Sequence, residues 1–186
     1  MGLEGVAAAH GHAPIALSDD CVGWARTAHY LTAVADDGDV QLRSEAGAPG
    51  RYFVRRRGAN RLELTQADDD AEHPLLFVAQ VDVLERYLVG LFADDIREDL
   101  DLPPLELGWR REDLADGYEL SDMVRGYRTL KRTTGGPVAA APDPTLSLLA
   151  LVPLSHYLQW PIPDLKRSFL SPAGIPLMRN GRYTPR

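Results

Sequence analysis

The sequence predicts an α+β fold: a single domain in which an antiparallel β-sheet, wound as a meander, is covered by helices and ends in a C-terminal helical pair. Three observations predict it. Between Tyr30 and Val78, short apolar runs alternate with turn formers, as a meander requires. Val81, Leu84, Leu88 and Leu91 then recur at three and four residues, the apolar stripe of an amphipathic helix. Beyond Asp143, two helical patterns are separated by Trp160-Pro161. With 186 residues, 45% hydrophobic and 25% charged, one core can serve the chain without a metal or disulfide staple.

Residues 1–17 read as a flexible tail and 18–186 as the domain. Ser18 is an N-cap, with Asp19 and Asp20 in the first turn of a helix reaching about Ala28. Trp24 should face inward from it. Strands are expected at Tyr30 to Ala35 and Val40 to Ser44, joined through Asp37-Gly38, then at Tyr52 to Arg57 and Arg61 to Gln66, with one sheet face dry and the other wet. Arg55-Arg56-Arg57 reads as a solvated sheet end. Leu75 to Val78 is a compact buried strand, and the helix from Val81 to Phe92 covers the sheet, with Asp82 and Arg86 paired outside. Pro103-Pro104 stops any helix in the acidic run Asp94 to Asp101. Shorter strands follow at Tyr118 to Ser121, Arg125 to Lys131 and Pro137 to Ala140. Asp143-Pro144 starts a helix toward Gln159 that Pro153 should kink or split. Pro163 opens a last short helix with Leu165 and Phe169 on one face, and Asn180-Gly181 turns a final hairpin.

Composition narrows the function classes. The formal charge of −7 repels nucleic acid and favours a cationic partner surface. No run approaches the ~20 apolar residues of a membrane span, and no secretory signal is recognisable before Pro14. The single cysteine, Cys21, fits a reducing compartment, so the expected location is the cytoplasm. His10, His12, His29, His73 and His156 offer no complete metal-ligand spacing. Neither a phosphate-binding glycine loop nor a nucleophile elbow occurs, and Ser155-His156, adjacent on a helix, point about 100° apart. No cofactor, metal or catalytic residue is therefore expected. Leu154 to Phe169 also permits a helix-turn-helix reading with Lys166 and Arg167 exposed, which the acidity and the prolines at 161 and 163 disfavour.

Two blocks carry a family resemblance. Val83-Leu84-Glu85-Arg86-Tyr87-Leu88 with Gly90 to Phe92 is the first. Leu154-Ser155-His156-Tyr157-Leu158, running on through Ser168-Phe169-Leu170, Gly174 and Pro176-Leu177, is the second. In these residues the chain resembles the immunity protein 61 family, departing from it at Pro153 and in its arginine- and proline-rich C-terminal end. The resemblance implies a small, non-enzymatic cytosolic protein that binds one toxin domain in a 1:1 complex. It would sterically block a secreted toxin of the NAD glycohydrolase type and so protect the producing cell. The shared residues read as folding core, so the contact is expected elsewhere. The loop Asp68-Asp69-Asp70-Ala71-Glu72-His73 is the candidate, with Asp68, Asp69, Asp70, Glu72 and His73 binding the toxin: its four carboxylates can mimic the phosphates of NAD and steer a basic cleft. On residue type alone it is a solvated acidic turn. Tyr52 with Arg55 to Arg57 is a second candidate patch.

Overall fold

The computed structural model describes residues 14–45, 50–58, 60–68 and 71–186. Two meanders share one sheet. The first is β1 (Tyr30–Val34), β2 (Val40–Ser44), β3 (Arg51–Arg56), β4 (Leu62–Asp68) and β5 (Ala71–Val78); the second is β6 (Tyr118–Leu120), β7 (Tyr127–Arg132) and β8 (Pro137–Pro142). They join where β5 pairs with β8, Phe77 opposite Ala140, giving the order β1-β2-β3-β4-β5-β8-β7-β6. Every neighbouring pair is antiparallel. The α+β prediction is met, with the acidic segment entering β5 earlier than the apolar run at Leu75 suggested.

Helices α1 (Asp19–Thr27), α2 (Val81–Leu91), α3 (Ala93–Asp99), α4 (Leu146–Tyr157) and α5 (Ile162–Leu170) complete the fold with a small hairpin of β9 (Met178–Arg179) and β10 (Arg182–Tyr183). Ser18 caps α1 as expected, its hydroxyl accepting from the Cys21 amide at 3.3 Å. Its own amide donates to Glu85 Oε1 at 2.5 Å, tying α1 to α2. Trp24 is buried and donates its indole N–H to the Val89 carbonyl, 2.9 Å away. Of the expected tail, residues 1–13 lie outside the described residues, whereas Ile15 is buried and its amide donates to the Gly38 carbonyl at 3.2 Å. Residues 14–17 therefore belong to the packed body.

Helix α2 is buried more broadly than its stripe. Leu84 and Leu88 face the core, but Val83, Glu85 and Val89 are buried too, because α1, α4 and α5 pack around the sides that the sheet leaves free. The Asp82–Arg86 pair forms outside at 3.4 Å. Helix α4 runs through Pro153 without splitting in two. Proline removes the bond to the carbonyl four residues back, yet Leu151, Val152, Leu154 and Ser155 around it are all fully buried, and that packing holds the helix. Asp143 caps its start through Oδ1, which accepts from Thr145 N at 2.8 Å and Leu146 N at 3.0 Å.

The two resemblance blocks meet at Gly90 and Tyr157. A Cβ on Gly90 would lie 3.0 Å from Cζ and 3.1 Å from the hydroxyl of Tyr157, whose ring is held edge-on against Phe169. Alanine in a helix gains up to about 1 kcal/mol over glycine, but overpacking a closed contact costs about 1–3 kcal/mol. Gly90→Ala should therefore lower the unfolding midpoint, measured in denaturant; a rise would show that Tyr157 yields freely.

Candidate functional site

The acidic segment is a hairpin, not a free loop. Its last register pair, Asp68 with Ala71, lies beyond the end of β3, whose first residue Arg51 pairs with Ala67. Asp68 and His73 are exposed and share one face through the pairs Asp68–Ala71 and Gln66–His73. Glu72 points to the other face, so strand alternation separates it from them. Asp69 and Asp70 fall outside the described residues.

On its own face Glu72 is committed. It forms a bidentate ion pair with Arg55, in which Nη2 donates to Oε1 at 2.9 Å and Nη1 to Oε2. Thr65 Oγ1 donates to Oε2 at 3.3 Å, Arg55 Nε lies 3.4 Å from Asp39 Oδ2, and the Arg55 guanidinium covers the Phe53 ring at 4.5 Å. The hydrogen bonds from Arg55 hold the Glu72 carboxyl below the usual carboxylate range, and the same contact raises Arg55. Strands β3, β4 and β5 and the turn between β1 and β2 are thus joined beneath the acidic end by one guanidinium.

Two expectations are corrected. Arg55 is not a solvated sheet end: its side chain is only 21% exposed. Nor is this face wet along β4, where Glu63, Thr65 and Ala67 are buried: Arg55 of β3 donates to Thr65, and Arg57, just past the end of β3, pairs with Glu63. The sequence signal that could have found the network is the acid on β4 or β5 opposite each outward arginine of β3.

The other chemically suggestive residues are engaged structurally. His156 Nε2 donates to the Asp113 carbonyl at 2.7 Å, and the ring stacks on Tyr183 at 3.5 Å. Ser155 Oγ donates to Val152 O at 2.6 Å and accepts from Ala115 N at 3.1 Å. Burial, reinforced by Glu85, pushes the Cys21 thiol up to about 12. Lys166 donates to the Asp20 carbonyl at 2.6 Å and lies over the Trp24 ring, while Arg167 pairs with Asp164. Neither cation is presented as a groove-reading residue, and α5 has nine residues. Among the described residues no group of three or more His, Cys, Asp or Glu could hold a metal, and no described helix is long and apolar enough to cross a membrane.

His156 sets a pH dependence. Burial holds its pKa below the ordinary 6.5, against the pull of the Asp113 carbonyl and of the Asp113 and Asp116 charges. Nδ1 is buried without a partner, so a proton placed there finds no acceptor. The unfolded chain takes that proton more readily, so the contribution is whole above pH 6.5 and lost as pH falls below it. His156→Phe, which keeps the stack, should flatten the stability slope between pH 7 and 5 in denaturant titrations; an unchanged slope would assign it to other groups.

Comparison with known proteins agrees with this architecture. Residues 24–177 match the model of the family described as Immunity protein 61. The chain is 31% identical over 169 residues to the "Immunity factor for TNT" of Mycobacterium tuberculosis and to the "Immunity factor for TNT homolog" of Mycobacterium bovis, covering 87% of this chain and 92% of each relative. The solved structure of Rv3902c from M. tuberculosis superposes with a TM-score of 0.78 at 28% identity, over 89% of this chain and 97% of that one. Both resemblance blocks fall within the matched residues, and the chain belongs to the immunity protein 61 family.

Proposed function

We propose that this protein neutralises a toxin of the NAD glycohydrolase type by binding it 1:1 through the acidic end of the β4–β5 hairpin. The chain supplies no catalysis, and it acts in the cytoplasm of the producing cell. The observation that carries this reading is the match to two relatives that are named immunity factors for TNT across 87% of the chain. The hairpin is favoured as the contact because Asp68, next in sequence to Asp69 and Asp70, stands past the end of β3 on a strand pair clasped by Arg55 and Glu72. A carboxylate on such a clasped pair meets a phosphate-binding cleft with little ordering cost.

Glu72 then supports the contact more than it makes it, its charge being spent on Arg55. A stable complex buries about 1,600 Å² in total, so the hairpin is one part of a wider footprint. The experiment is co-purification of the chain with the toxin encoded beside it, followed by size and stoichiometry in solution. A 1:1 complex is expected; two proteins that elute separately at micromolar concentration would refute the reading.

A further inference from the structure

The helical layer holds a groove of about 280 Å³ that the toxin reading leaves unused. Tyr87 and Tyr157 line it from α2 and α4, Leu107 and Trp109 from the linker after Pro104, and Leu149 from α4. No sheet residue contributes. Leu149 and Trp109 are 46% and 42% exposed, large apolar side chains left in water. Leu146, one turn before Leu149, is 57% exposed and extends the apolar surface along α4.

Asp94, in the first turn of α3, is the one charged residue of the lining. The cation nearest to it electrostatically is Arg97, but that guanidinium donates to the carbonyls of Pro103, Phe169 and Ser171 and not to Asp94. The groove is thus of mixed polarity, holds Asp94 as its single charge with no described guanidinium hydrogen-bonded to it, and belongs to a chain of net charge −7. Such a surface repels phosphate and fatty-acid headgroups. It suits an apolar side chain set beside an ammonium or guanidinium, as in helix-in-groove docking.

We propose that this groove docks a basic amphipathic segment of a protein partner, with an apolar side chain between Trp109 and Leu149 and a lysine or arginine on Asp94. The inference is independent of the toxin contact, since none of its residues lies in the β4–β5 hairpin.

The test is a titration of the isotope-labelled full chain with a twelve-residue amidated peptide of leucine and lysine at helical spacing, and with its counterpart carrying glutamate for lysine. Expected are saturable shifts of the Trp109 indole N–H with the basic peptide and none with the acidic one. Asp94→Asn should weaken binding about fivefold, as loss of one partly exposed charge pair does. Leu149→Asp should abolish it, with both variants keeping the parent's circular dichroism. No saturable binding, equal binding of both peptides, or unchanged affinity in Asp94→Asn would overturn the proposal. So would shifts confined to the hairpin amides, or self-association that occupies the groove.

Discussion

Arg97→Ala is expected to destabilise the fold by about 3–5 kcal/mol, as truncating a large core side chain and leaving buried acceptors without donors does. Arg97 is 1% exposed. Nε donates to the Pro103 carbonyl at 2.8 Å, Nη1 to Phe169 and Ser171 at 2.6 and 2.8 Å, and Nη2 to Pro172 at 3.2 Å. These carbonyls close the chain beyond α3 and the end of α5, where helix acceptors lack amide partners. Alanine would strand the carbonyls of Pro103, Phe169 and Pro172, while that of Ser171 keeps the Gly174 amide, and would leave a side-chain-sized cavity. Arg97→Lys should recover only part of the loss, because an ammonium cannot reproduce the planar fork. Denaturant unfolding with an unchanged m-value checks this; a loss under about 1 kcal/mol would mean that water replaces the guanidinium easily.

Reversing Asp68, Asp69 and Asp70 to lysine should slow association with the cognate toxin about 100-fold, the scale of electrostatic steering. Neutralising them to asparagine should do so by about tenfold and flatten the salt dependence of the on-rate. Stability should hardly change, since Asp68 is exposed and pairs with no cation among the described residues. Glu72→Gln behaves differently: it weakens the clasp on Arg55, so its effect on binding should track loosening of the hairpin, visible as faster amide exchange along β4 and β5. Unchanged association rates in the lysine variant, measured by surface binding at low salt, would move the contact away from the hairpin.

Local pattern carried much of the fold. The Asp37-Gly38 turn, the Leu62–Leu64 alternation and the Val81 to Leu91 stripe each involve neighbours in sequence, and each predicted its element. The expectations that failed depend on distant partners. Alternation could not show that β4 would be buried on both faces, because Arg55 of β3 and Arg57 just past it pack over Thr65 and Glu63. Pro153 permits a kink or a split, and only the packing around α4 shows that it does not split. Arg97 sits within the acidic run Asp94 to Asp101, and only the approach of α5 makes it a buried hub. The candidate site divides the same way. The acid count of residues 68–72 is visible in the sequence, whereas the assignment of Glu72 to Arg55 requires the register that brings Asp39, Arg55, Thr65 and Glu72 onto one face.

A folded complex should block the toxin's own chemistry, and the most direct measurement is NAD hydrolysis by the cognate toxin while this chain is added up to one equivalent. Hydrolysis should fall linearly and vanish near 1:1, with the chain alone leaving NAD intact. Undiminished hydrolysis at a stoichiometric excess of correctly folded chain would contradict the account.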